Sequence, residues 1–126
     1  MWCALLVVLA SGCSKTPASL AGGKPVGYWI EALGGQDAKL RKTAVAKLGN
    51  VGSADPAAFP AVVKALNDAD ASVRCEAILA LLKFGDQAQE AEAALTALHQ
   101  RDRDAKVRDY AAKVLEKLHG PANAHP

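Results

Sequence analysis

The chain has 126 residues, 51% of them apolar but only 5% aromatic, which bounds it to one domain with a modest core. Its apolar content is mostly Ala, Leu and Val, and the first two head the helix-propensity scale, so the composition leans all-α. Fifteen basic against thirteen acidic side chains leave a formal charge of +2 with signs interleaved, which excludes a polybasic nucleic-acid arm and an acidic tail.

Residues 2–10, WCALLVVLA, form an unbroken apolar run. It is too short to cross a bilayer, which takes about 20 helical residues, and its length suits the hydrophobic region of a signal peptide. The following Leu9-Ala10-Ser11-Gly12-Cys13 resembles the bacterial lipobox. That resemblance implies a signal peptide over 1–12, removal of Cys3 with it, and lipidation of Cys13. Ser14 rather than Asp after the cysteine resembles an outer-membrane address in a Gram-negative cell. The pattern departs from a signal peptide in lacking a Lys or Arg before the apolar run, and a buried or uncleaved N-terminal helix is the alternative. Residues 14–25, SKTPASLAGGKP, are small, polar and rich in Gly and Pro, so residues 13–25 are expected to be the lipidated cysteine and a flexible tether.

From residue 26 the chain repeats itself. Residues 31–52 align without gaps on 64–85 at an offset of 33, and 96–120 follow with two extra residues near Gln100-Arg101 and an offset of 34 thereafter. Asp37, Asp70 and Asp104 coincide, as do Arg41, Arg74 and Arg108, then Ala44, Ala77 and Ala111, then Leu48, Leu81 and Leu115. A period of this length marks a helical solenoid. Each unit reads as two helices, with units near 26–52, 56–85 and 89–120. The second helix opens on its Asp, which can cap the first turn at a gain of about 1 kcal/mol. Its apolar positions, such as Val73, Ala77, Leu81 and Phe84, share one face, and Gly52 and Gly85 can end it in a left-handed conformation. In the first helices, Ile30 with Leu33, Val63 with Leu66 and Leu95 with Leu98 are expected to face the second. Asp55-Pro56 reads as a cap, with the helix bending at Pro60 or starting there. Tyr28 and Trp29 are expected to close the open end. The tail 121–126 is expected to be disordered.

The triple Asp-x-x-[Val/Leu]-Arg element, with Gly closing the helix, resembles the HEAT family, in particular its short PBS-lyase-like units, over residues 26–120. The resemblance implies an all-α, α-α superhelix of about three helical hairpins. It also implies an inter-repeat ladder among Asp37, Arg41, Asp70, Arg74, Asp104 and Arg108, with Arg74 near Asp37 or Asp104.

No constellation of catalytic or metal-ligating residues emerges. His99, His119 and His125 lack metal-ligand spacing with one another and with Cys75. Asp68-Ala-Asp70 opens like a calcium loop but has Val73 where Gly is required and Leu79 where Glu is required. Gly22-Gly23-Lys24 lacks phosphate-loop spacing. No cofactor, metal, small-molecule substrate or nucleic acid is therefore expected. A turn of 100° per residue places Lys42, Cys75, Leu79, Leu82, Asp109, Lys113 and Glu116 on the face of the second helices opposite the core, the concave and commonly binding side in the resembling family. Leu79, Leu82 and Cys75 either seat a partner's apolar side chain or fill gaps left by Ala46 and Gly49. Cys75 is either partly exposed or a packed spectator. The expected function is a non-catalytic, lipid-anchored module that binds an unknown protein in the cell envelope. A bilin-lyase-like enzyme subunit and, further off, a HEAT-like nucleic-acid binder are the alternatives.

Overall fold

A computed structural model describes residues 20–120. The expectations for residues 1–19 and 121–126, Cys13 and the tail included, lie outside the described residues. Six α-helices follow a minimal hairpin: β1 (Leu20–Ala21), β2 (Lys24–Pro25), α1 (Val26–Ala32), α2 (Ala38–Val51), α3 (Ala58–Ala65), α4 (Ala71–Leu81), α5 (Glu92–Arg101) and α6 (Ala105–Leu118). Turns of 3-10 helix, Gly52–Ala54 and Leu82–Ala91, follow α2 and α4. The pairs α1/α2, α3/α4 and α5/α6 are antiparallel hairpins stacked so that α4 packs on both α2 and α6. The fold is an all-α solenoid of three helical hairpins.

The second helices begin as their sequence dictates. Asp37 accepts from the Lys39 amide, Asp70 from Ser72 and Val73, and Asp104 from Lys106 and Val107, so each carboxylate satisfies first-turn donors that have no partner within the helix. Gly52 (φ +56°, ψ −140°) and Gly85 (φ +59°, ψ −131°) turn the chain after α2 and α4 at positive φ, which favours glycine, but with ψ far from the left-handed helical value. The central stripe Val73, Ala77, Leu81 and Phe84 is buried, and Phe84 meets Phe59 edge-on with ring centroids 5.2 Å apart. Leu40, in register with Val73, remains 38% exposed, as no unit among the described residues stands before the first.

Three expectations are corrected. Residues 20–25 are not tether. Gly22 and Gly23 both take positive φ, as a tight two-residue hairpin turn requires, and pair Ala21 with Lys24. The Trp29 indole N–H, buried with its ring, donates to the Ala21 carbonyl at 2.7 Å. A buried indole needs such a partner, and this bond fastens the hairpin to the first unit. Trp29 and the hairpin close the end, while Tyr28 stays exposed, edge-on to Trp29 and beneath the Lys24 ammonium. Second, α3 starts at Ala58, ahead of Pro60. Asp55 accepts from the Ala57 amide just before the helix, and Pro60 lies in its first turn, where no backbone donor is needed. Its buried face is Phe59, Val62 and Leu66, with Val63 only half-buried.

The third correction concerns the ladder. Arg74 pairs with neither Asp37 nor Asp104. Its Nε and Nη2 donate to the two carboxylate oxygens of Asp102 at 2.9 and 3.0 Å, and Nη1 donates to the carbonyls of Asp68 (2.8 Å) and Ala69 (3.1 Å). Arg41 repeats this one unit earlier, with Nε and Nη2 on Asp68 at 2.9 and 3.1 Å and Nη1 on the Gly35 carbonyl at 2.8 Å. The rung carboxylates belong to Asp68 and Asp102, two residues before the capping aspartates. The caps Asp37, Asp70 and Asp104 are committed to their own helix amides. Each rung aspartate also accepts from the capping residue's amide at 2.9 Å, which fixes the carboxylate toward the preceding unit. Burial works to raise the Asp102 pKa, yet the Arg74 hydrogen bonds, the Asp104 amide and the charge of Arg74 hold it below the ordinary carboxylate value. Arg41 is likewise held above its ordinary value, first by its hydrogen bonds to Asp68.

Candidate functional site: a groove between the second and third units

The stack of second helices is uneven, and small residues decide where. A Cβ on Gly49 would stand 2.9 Å from Ala80 Cβ, so α2 and α4 approach closely at that point. One unit on, the equivalent pair is Leu82 and Val114, which is far bulkier. There α6 lies less closely against α4, and a groove of about 890 Å³ opens between them.

The groove is lined on one side by Leu79 and Leu82, and on the other by Tyr110, Lys113, Val114 and Lys117, with Glu116, His119 and Gly120 at its margin. Leu79 is 38% exposed, a large apolar side chain presented to solvent. Neither leucine fills the space beside Gly49, which Ala80 and the stem of Lys83 occupy. Both leucines line the groove, and Leu82 is also partly buried against the core.

Charged groups ring this apolar floor. Lys113 bridges to Asp109 at 2.8 Å within α6, both exposed, and its pKa is raised by that hydrogen bond and the Asp109 charge. The same ammonium stands 6.0 Å from the Tyr110 ring centroid. His119 Nε2 lies 2.8 Å from Glu92 Oε1 where α6 ends against the start of α5. An apolar floor with a polar, mixed-sign rim is the usual anatomy of a protein-binding surface.

Of the residues expected on the concave face, the groove gathers Leu79, Leu82, Lys113 and Glu116. Asp109 enters through its pair with Lys113. Lys42, on α2, is exposed but lies outside the groove lining. Cys75 is also outside it, as a half-buried free thiol. Burial pushes its pKa up, with the nearby Asp104 charge adding to the shift, so at neutral pH it is a protonated, weakly nucleophilic thiol. The sequence reading missed Tyr110, Val114, Lys117 and His119. The first three share one flank of α6, where Val114 is buried, Tyr110 half-buried and Lys117 exposed. The signal for them was the change from Gly49/Ala80 to Leu82/Val114 at equivalent positions.

Among the described residues, no group of three or more His, Cys, Asp or Glu side chains could hold a metal ion. No helix among them is long and apolar enough to cross a membrane. The sequence model of a family described as HEAT repeats matches residues 28–121, most of the chain. No curated protein matches it.

Proposed function

The chain belongs to the HEAT-repeat family, whose repeats are generally protein-interaction modules, and from that premise we propose that it binds a partner protein in the α4/α6 groove and catalyses no reaction. The observation that carries this is the groove itself: exposed Leu79 beside Leu82 on an apolar floor, rimmed by Lys113, Glu116 and Lys117. The titratable side chains there that form pairs, Lys113 with Asp109 and His119 with Glu92, do so in exposed positions. That arrangement suits rim contacts rather than acid–base work in a water-excluded site. The near-neutral charge balance supports a protein rather than a nucleic acid as partner.

The proposal extends to the address. Leu9-Ala10-Ser11-Gly12-Cys13 supports lipidation at Cys13 and a place in the cell envelope, at the outer membrane in a Gram-negative cell. Six residues separate Cys13 from the hairpin at Leu20, a span of at most about 25 Å.

Leu79→Ala with Leu82→Ala tests the binding site. The variant should lose a co-purified partner while its helical circular dichroism is retained, and an unchanged partner set would remove the groove from the account. Intact mass and fractionation with and without Cys13→Ala test the anchor separately. A soluble, unmodified wild type would refute it.

A further inference from the structure

Among the described residues, the last arginine of the ladder has no carboxylate rung. Arg41, Arg74 and Arg108 are equivalent, and each donates from Nη1 to the carbonyl six residues before it, at 2.8, 2.8 and 2.7 Å. In the first two, this bond leaves the Nε/Nη2 edge facing the next unit, where an aspartate fills it with two hydrogen bonds. Arg108 is held by the same carbonyl bond, and no carboxylate among the described residues meets its Nε and Nη2. A planar guanidinium fixed at one end presents a fork matched to a carboxylate.

We propose that the Arg108 fork is a binding site for an aspartate of a partner protein, presented in an Asp-x-Asp segment. The chain itself twice displays the chemistry of the occupant. In Asp68-Ala-Asp70 and Asp102-Arg-Asp104, the first carboxylate fills the fork and accepts the amide of the second aspartate at 2.9 Å, which sets its direction.

A second copy of this chain is a poor occupant. The position in its first unit equivalent to Asp68 and Asp102 is Gly35, which has no carboxylate, and the hairpin 20–25 packs on that unit. A broad apolar docking is also disfavoured. Where Val45 and Ile78 are buried beneath a following unit, the third unit carries the smaller Ala112, and the exposed Glu116 stands where Gly49 and Leu82 stand in the others. The end is suited to a short acidic segment held through its carboxylate. On the helical wheel of α6, Arg108 lies on the side away from the groove-lining Tyr110, Val114 and Lys117, so this site and the groove can fail independently.

The probe is a blocked peptide with the sequence of residues 66–72, Leu-Asn-Asp-Ala-Asp-Ala-Ser, titrated into the full chain with its arginine side chains labelled for NMR. The Nε–H resonance of Arg108 should shift saturably while those of Arg41 and Arg74 stay in place. Asn in place of the peptide's first Asp should weaken binding about tenfold or more, as loss of a charged hydrogen-bond pair does. Arg108→Lys should do the same with an unchanged circular dichroism spectrum, since an ammonium cannot reproduce the fork. The proposal is overturned by no saturable shift, by equal binding of the Asn peptide, or by inorganic phosphate giving the same shift at the same concentration.

Discussion

Arg74→Met separates the ladder's energetics from those of an ordinary surface pair. The side chains of Arg74 and Asp102 are 7% and 6% exposed, and the guanidinium makes four hydrogen bonds, two to the carboxylate and two to carbonyls. Methionine fills the stem's volume but strands the carboxylate, leaving only the Asp104 amide to bond it. Removing one partner of a buried pair costs about 3–5 kcal/mol, which for a domain of this size lowers Tm by about 12 °C or more. Arg108→Met, which forfeits one carbonyl bond at a half-exposed position, should cost about 1 kcal/mol. The double variant Arg74→Met/Asp102→Asn keeps an acceptor for the Asp104 amide without a buried charge, and should recover more than half of the loss. Urea unfolding followed by circular dichroism at matched m-values measures all three. If Arg74→Met and Arg108→Met are destabilised equally, the buried rung is not what fastens the second unit to the third.

Other outcomes follow from single contacts. Gly49→Ala should lower stability by up to about 2 kcal/mol in the same urea assay, because overpacking against Ala80 at 2.9 Å outweighs the roughly 1 kcal/mol gain in helix propensity. Asp102 has its folded pKa below the ordinary value of 3.8. Its contribution is therefore complete above that value and is lost as pH falls through the folded pKa. Acid titration of stability should show a drop below about pH 4 that is smaller in Arg74→Met. Cys75 should react with a disulfide reagent more slowly than free cysteine at pH 8, with its midpoint displaced upward; rates equal to free cysteine would contradict its burial.

The helices and their stacking were legible because local rules and the repeat agree. A capping aspartate and a four-residue apolar stripe recur in register in all three units, a terminal glycine in the first two with Gly120 one residue late in the third, and each has one physical job. The ladder was half legible. The arginines stood out by repetition, but the capping aspartates share that repetition and absorbed the assignment. Asp68 and Asp102 recur only twice, since Gly35 stands at their place in the first unit. The signal lay in asking which aspartates had no helix to cap. The hairpin at 20–25 was hidden because its composition matches a tether, and its order depends on the Trp29 indole bonding to the Ala21 carbonyl. The groove was only partly legible: two leucines could be placed on a face, but not the α6 residues opposite them, Tyr110, Val114 and Lys117.

The central claim, that the α4/α6 groove is where a partner sits, is tested most directly by photocrosslinking in cells. A benzophenone side chain would replace Leu79, Lys113 or, as control, Ala93, exposed on the first helix of the third unit. The account predicts one discrete adduct shared by positions 79 and 113, absent at 93, and lost when the crosslinker at 113 is combined with Leu79→Ala and Leu82→Ala. An adduct formed equally at position 93, or one indifferent to the two leucines, would contradict it.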